Sequence, residues 1–107
     1  DDMAAASLFV LDLPKSDYDS STEPMLSHIN VGSGIEISIM NLAKKIASVT
    51  GYMGQIKTDC SKPNGAPRKL LDITRLTRMG WTAKIDLDQG ITQTHQWFKD
   101  NVNEFRQ

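Results

Sequence analysis

A basic segment with two prolines and a glycine limits which elements can run through the middle of the chain. The segment, Ser61–Asp72, reads SKPNGAPRKLLD. Proline fixes φ and lacks a backbone N–H, and glycine permits positive φ, so a regular helix or strand does not continue across Pro63, Gly65 and Pro67. We therefore predict a stiff, shaped loop here.

The same loop concentrates positive charge. It carries Lys62, Arg68 and Lys69, and six of the twelve cations of the chain fall between residues 57 and 78. A net charge of −1 disfavours general binding to nucleic acid or membranes, and the basic run lacks interleaved aromatic residues. Preorganised cations suit a small phosphorylated ligand. The alternative is a solvated basic face without a ligand.

Capping residues and apolar spacing predict three main helices. The first covers 2–13 and ends before Pro14. The second covers 39–50, with Ser38 as N-cap and a glycine after its last residue. The third follows the Asp86 capping box. The predicted core-facing positions of the second and third helices are Ile39, Leu42, Ala43, Ile46, Val49, Leu87, Ile91, Thr94, Phe98, Val102 and Phe105.

Shorter elements complete an α+β prediction. Alternation and β-branched residues predict short strands at 28–32 and 54–59. A short helix over 73–78 is predicted to begin at Asp72. The polar segment 15–26 predicts an exposed, mobile connection.

Length and composition predict one domain that is part of something longer. The 107 residues, taken as a single domain over 1–107, suffice for a modest core. No apolar run approaches the roughly 18 residues that cross a bilayer, and the lone Cys60 fits a reducing cytoplasm. The chain starts with Asp1-Asp2 at the predicted beginning of a helix, so we expect it to be a fragment of a longer protein.

Residue types that often carry catalysis or bind metals form no motif in this chain. The Gly32-Ser33-Gly34 turn has Ile37 where a dinucleotide-binding turn has its third glycine. His28 and His95 have no partner at metal-ligand spacing, and no base is recognisable for Cys60. We expect no catalytic residue, metal ligand or cofactor site in these 107 residues.

Several segments resemble the GDP-L-fucose synthase family. His28–Gly34 (HINVGSG) is similar to the family's HINVG-T/S-G turn, and Ser61–Asp72 to its SKPDGTPRKLLD loop. Asp1–Ser7 (DDMAAAS) resembles the family's VDDMAAAS helix start, and Arg75–Trp81 its L-x-x-L-G-W ending. The tail also resembles the family's C-terminus, at Gln96, Trp97, Phe98, Phe105 and Arg106.

The resemblance implies the small C-terminal substrate domain of an extended short-chain dehydrogenase/reductase, without its Rossmann domain. The full-length enzyme of that family is expected to be a cytoplasmic homodimer. It epimerises GDP-4-keto-6-deoxy-D-mannose and reduces it with NADPH to GDP-L-fucose. The family's catalytic Tyr-x-x-x-Lys is absent here, since neither Tyr18 nor Tyr52 has a lysine four positions later. The chain alone is therefore expected to bind no NADP(H) and to be inactive, with a GDP-sugar and the missing Rossmann domain as its partners.

The resemblance also assigns three substrate-binding residues. Lys69 matches the family lysine expected near the GDP diphosphate. Asn64 stands where the family loop commonly has aspartate, so it keeps a carbonyl acceptor and loses a charge. Arg68 either binds phosphate or pairs with a carboxylate inside the domain. Two alternatives stay open: another nucleotide-sugar epimerase or dehydratase, and a stand-alone anion-binding interaction module.

Overall fold

The computed structural model describes residues 1–66 and 68–106, with the backbone alone at 105 and 106. Two predictions fall on residues that the structure does not describe: that Pro67 stiffens the loop, and that the Phe105 side chain belongs to the apolar face of the last helix. The helices in the described part are α1 (Asp2–Leu11), α2 (Lys15–Ser21), α3 (Ile39–Thr50), α4 (Thr74–Arg78), α5 (Leu87–Asn101) and a 3₁₀ helix (Val102–Arg106).

The predicted bounds of α3 and the predicted N-cap of α5 are confirmed. α3 has the predicted bounds, the Ser38 hydroxyl accepts a hydrogen bond from the backbone N–H of Asn41 at 3.2 Å, and Gly51 ends the helix at φ +73°. The Asp86 carboxylate accepts from the N–H of Gln89 at 2.8 Å at the start of α5. α1 ends two residues before the predicted bound, in the turn that precedes Pro14.

The two predicted strands are wrong. Residues 28–32 and 54–59 form no strand, and the described chain contains only an isolated antiparallel bridge between Glu23 and Leu26. A strand needs a neighbouring strand to bond its backbone N–H and C=O groups. Side chains bond to the backbone of 26–28 instead. The described part of the chain is helix-rich with almost no strand.

The segment 15–26, predicted to be a connection, is helical in its first part. Its side chains are mostly exposed, but Lys15–Ser21 form α2 directly after Pro14. The backbone carbonyl of Pro14 accepts from Asp17 and Tyr18, and Lys15 pairs with Asp19 one turn later. Ion pairs at this spacing favour helix in short polar segments.

The chain divides into two compact units. The first consists of Asp1–Glu36 and Arg68–Lys84, and the second of Ile37–Pro67 and Ile85–Gln107. The single-domain organisation over 1–107 stays a prediction.

The first unit contains α1, α2 and α4. Among the described residues, Ala6 of α1 and Leu76 of α4 are the buried apolar side chains, at 0% and 1% exposure. The backbone N–H of Lys84 donates to the Asp2 carboxylate at 2.8 Å, which fixes the end of this unit onto α1.

In the second unit α3 packs against α5. Lys45 Nζ of α3 lies 2.6 Å from each carboxylate oxygen of Asp88 on α5. No helix in the described part of the chain is both long and apolar enough to cross a bilayer.

Candidate anion-binding site

The predicted substrate loop passes from one unit to the other between residues 67 and 68. Asn64 belongs to the second unit, and Arg68 and Lys69 begin the second segment of the first. All three side chains are exposed. Within the described chain, neither the Asn64 amide nor the Lys69 ammonium has a hydrogen bond or ion pair with another residue.

Arg68 makes an ion pair inside its own unit. Its Nε donates to Oε2 of Glu36 at 3.0 Å, with side-chain exposures of 68% and 45%. An exposed pair of this kind stabilises a fold by about 1 kcal/mol at most. The contact uses one of the five N–H donors of the guanidinium. Among the described residues the two Nη groups have no acceptor, so Arg68 pairs with a carboxylate and still offers donors to an anion.

The C-terminal end of the basic loop is held by Asp72. Its carboxylate accepts from the backbone N–H of Thr74 at 2.9 Å, and its backbone carbonyl accepts from the Asn30 amide at 3.1 Å. The predicted helix starts one residue later than expected, with Ile73 rather than Asp72 as N-cap. These contacts attach the end of the loop to α4 and to the segment that contains Asn30.

Hydrogen bonds from Thr74 lower the pKa of Asp72. The Thr74 hydroxyl and then its backbone N–H stabilise the charged carboxylate, and the charges of Arg78 and Arg75 add smaller contributions in the same direction. A folded-state pKa below the ordinary value of 3.8 means that the ionised group stabilises the fold at neutral pH. That contribution is lost as the pH falls through the folded pKa.

We therefore expect Asp72→Asn to flatten the acid limb of the stability curve below about pH 4. Urea unfolding between pH 2 and pH 7 measures this, with Asp12→Asn as a control at an exposed carboxylate. An acid limb that is unchanged in Asp72→Asn would contradict a lowered pKa of Asp72 in the folded chain.

Arg75 has a structural contact rather than a free guanidinium. Its Nη1 donates to the backbone carbonyls of Leu26 at 2.7 Å and His28 at 2.6 Å. The Tyr18 hydroxyl donates to the carbonyl of Ser27 between them at 2.9 Å. Arg75 thus fixes the backbone of 26–28 onto α4 through its Nη1 group.

The predicted turn at Gly32–Gly34 is confirmed, and its glycines serve close packing. Gly34 has φ +72°, and a Cβ at this position would lie 2.8 Å from Cδ1 of Ile73. The Ser33 hydroxyl accepts from the N–H of Ile35 at 3.2 Å. The turn therefore lies directly against the residue that begins α4.

The Gly32–Gly34 segment does not have the geometry of a dinucleotide-binding turn. A dinucleotide site needs a strand, a glycine turn and a helix that begins at the turn. The segment before Gly32 forms no strand, and α3 begins only at Ile39. Among the described residues no group of three His, Cys, Asp or Glu side chains is placed to hold a metal ion.

An apolar cleft of about 310 Å³ lies within the second unit and was missed by sequence analysis. One side is α3 and the other is the segment after it, and the lining residues are Ala43, Ile46, Ala47, Thr50, Tyr52 and Ile56. Since no charged side chain lines it, the cleft is unsuited to a phosphate. Glu36 was also missed, because its partner Arg68 is 32 residues away in the sequence.

Solved structures define the class of protein. A GDP-6-OMe-4-keto-L-xylo-heptose reductase from C. jejuni is similar, with TM-score 0.84 and 27% identity, covering 94% of this chain and 29% of that one. A GDP-D-glycero-L-gluco-heptose synthase from Campylobacter jejuni, solved in the presence of NADPH, gives TM-score 0.78 and 27% identity over 92% of this chain and 28% of that one. The fold is therefore that of part of an extended short-chain dehydrogenase/reductase of the GDP-sugar class.

Curated relatives give the particular family. GDP-L-fucose synthase of Escherichia coli K12 is 52% identical over 106 residues, which are 99% of this chain and 33% of that enzyme. Putative GDP-L-fucose synthase 2 of Arabidopsis thaliana is 40% identical over 107 residues, all of this chain and 30% of that enzyme. No family model matches the chain. The chain spans about a third of the length of these relatives, and it corresponds to the C-terminal part of GDP-L-fucose synthases, which confirms the predicted resemblance.

Proposed function

We propose that the chain is the GDP-sugar-binding part of a GDP-L-fucose synthase. The observation that carries the proposal is the exposed Lys69 ammonium, without a partner among the described residues, inside a loop spelled like that of the family. In the complete enzyme we infer an NADPH-dependent conversion of GDP-4-keto-6-deoxy-D-mannose into GDP-L-fucose, by epimerisation and then reduction.

The charges of the loop suit a diphosphate. Lys69 supplies a compact point charge, and the planar guanidinium of Arg68 suits two neighbouring phosphate oxygens. Hydrogen bonds to charged groups contribute about 1.5–3 kcal/mol each. Asn64 is proposed to contact a GDP-sugar through its amide, which has no charge to offer. Holding the nucleotide in this way positions the sugar for chemistry done elsewhere in the enzyme.

The reacting groups are proposed to lie in the preceding part of the complete enzyme. Removing a proton next to a ketone needs an acid/base pair, and reducing the ketone needs a hydride, which NADPH supplies when bound. The described residues of the loop supply neither an acid/base pair nor a hydride donor. We expect the 107-residue chain alone to give no turnover above a no-enzyme control.

We also propose a location and an oligomeric state for the complete enzyme. Cys60 is an exposed free thiol, which suits the reducing cytoplasm. The complete enzyme is proposed to be a homodimer, with this chain joined to its own Rossmann domain.

A second candidate is a related GDP-sugar enzyme with a different sugar. GDP-L-colitose synthase of Yersinia pseudotuberculosis is 44% identical over 79 residues, 74% of this chain and 26% of that enzyme. Both candidates share the GDP portion of the ligand, so the loop contacts would be the same.

Reading the gene upstream of Asp1 tests the proposal. A G-x-x-G-x-x-G after a predicted strand and a Tyr-x-x-x-Lys would support it, and their absence would favour the interaction module. The encoded protein is then assayed for NADPH oxidation with GDP-4-keto-6-deoxy-D-mannose. Formation of GDP-L-fucose is expected, whereas GDP binding without turnover of this substrate would favour the second candidate.

A further inference from the structure

We propose that Glu36 is a positioning residue that holds the Arg68 guanidinium ready for the diphosphate of the ligand. This inference rests on the proposed function and adds a residue that does not itself touch the ligand. It starts from the contact between Glu36 Oε2 and Arg68 Nε at 3.0 Å.

Glu36 contacts Arg68 at Nε, and the choice of this nitrogen decides whether the guanidinium can still bind a phosphate. A carboxylate that took both Nη groups would occupy the fork that recognises phosphate. Glu36 takes Nε and leaves the Nη groups without an acceptor among the described residues. The ion pair therefore restrains the side chain and leaves its phosphate-binding end available.

The backbone of Glu36 is itself well supported. It follows the Gly32–Gly34 turn, which the Ser33 hydroxyl closes onto the N–H of Ile35 at 3.2 Å. Gly34 approaches Ile73 so closely that a Cβ would lie 2.8 Å from its Cδ1. Because Ile73 is the N-cap of α4 and directly follows the basic loop, the Glu36 carboxylate is held in the same unit as Arg68.

Two opposing effects follow from this placement. An exposed arginine loses rotamer freedom when it binds a ligand, and a partner that already holds it reduces that loss. The negative charge of Glu36 also repels a diphosphate, but solvent and salt weaken this repulsion at a site where both side chains are exposed. Positioning and repulsion therefore predict opposite changes when Glu36 is truncated.

Glu36→Gln and Glu36→Ala separate the two effects. Glutamine keeps an oxygen that accepts from Nε and removes the charge, whereas alanine removes both. The 107-residue chain and both variants are titrated with GDP and with inorganic pyrophosphate, followed by NMR. We expect Glu36→Ala to weaken GDP binding about three- to tenfold and Glu36→Gln to stay within about twofold of the unmodified chain.

Two further measurements distinguish positioning from a merely structural role. The heteronuclear NOE of the Arg68 Nε–Hε group should fall in Glu36→Ala and persist in Glu36→Gln. In an Arg68→Ala background, Glu36→Ala should weaken GDP binding no further. Glu23→Ala serves as the control, since it removes an exposed glutamate of the same unit.

The outcomes also separate this inference from the proposed function. GDP binding that is equal or tighter in Glu36→Ala overturns the positioning role and leaves the proposed function intact. Absence of saturable GDP binding by the unmodified chain contradicts both, because the site would not be made by these residues. Weakening that is the same in Glu36→Ala and Glu36→Gln also overturns positioning.

Discussion

Leu76→Ala should destabilise the chain by about 2–5 kcal/mol. Leu76 lies on α4 at 1% exposure, and Ala6 is the other buried apolar residue in the described part of the chain. Removing a buried leucine loses its transfer free energy and leaves a cavity that the surrounding side chains fill only in part. Thermal unfolding followed by circular dichroism should show a melting temperature lower by about 10–20 °C.

Two matched variants separate this burial effect from a general effect of substitution. Leu71→Ala, at a leucine that is 50% exposed in the same unit, should cost about 1 kcal/mol or less. Leu76→Met nearly conserves the volume and should cost less than about 1.5 kcal/mol. Equal destabilisation by Leu76→Ala and Leu71→Ala would show that α4 does not carry the core of the first unit.

Arg75→Ala is the second large effect, with an expected loss of about 2–3 kcal/mol. The guanidinium donates to the carbonyls of Leu26 and His28 at 2.7 and 2.6 Å. A charge-assisted hydrogen bond contributes about 1.5–3 kcal/mol, and because Arg75 is partly exposed and both bonds use the same Nη1, we expect less than the sum of two such bonds. Urea unfolding measures the loss.

The controls for Arg75 use the same helix. Arg78→Ala removes an exposed arginine one turn later and should stay within about 0.5 kcal/mol of the unmodified chain. Arg75→Lys keeps the charge but lacks the planar fork, so an intermediate loss is expected. If Arg75→Ala and Arg78→Ala had equal effects, the contact with 26–28 would not stabilise the fold.

Local signals explain why the bounds of α3 and the start of α5 were predicted, whereas the predicted core-facing residues Ile39, Ile46, Leu87 and Phe98 are exposed. Ser38, Gly51 and Asp86 act on backbone groups within a few residues of themselves. The capping residues of each helix can therefore be recognised in the sequence next to that helix. Such interactions do not depend on how distant segments fold.

The predicted strands failed because strand formation is not local. Residues 28–32 have the alternation and β-branching of a strand, but no second strand pairs with them in the described part of the chain. The His28 carbonyl accepts from the Arg75 guanidinium, and the Asn30 amide donates to the Asp72 carbonyl. The helix at 15–21 was missed for the opposite reason. Its polar residues resemble a loop, whereas the pair between Lys15 and Asp19 and the acceptor at Pro14 favour helix.

Sequence analysis predicted the loop residues of the candidate site but not the distant residues that contact them. The loop spelling pointed to Asn64, Arg68 and Lys69, whose ligand contacts remain predictions. The Glu36 contact to Arg68 and the Arg75 contact to His28 join residues 32 and 47 positions apart. No pattern within a short window signals pairs of that separation, so sequence analysis counted Arg75 as an available cation and did not consider Glu36.

A titration of the ¹⁵N-labelled chain with GDP, with UDP as control, tests the central claim most directly. We expect saturable shifts centred on Arg68 and Lys69 and tighter binding of GDP than of UDP. In Lys69→Ala binding should weaken at least about tenfold, because a charge-assisted contact is lost, whereas Lys44→Ala, an exposed lysine on α3, should bind as the unmodified chain does. GDP shifts that do not saturate, or that are unchanged in Lys69→Ala, would contradict the assignment of a GDP-sugar site to this loop.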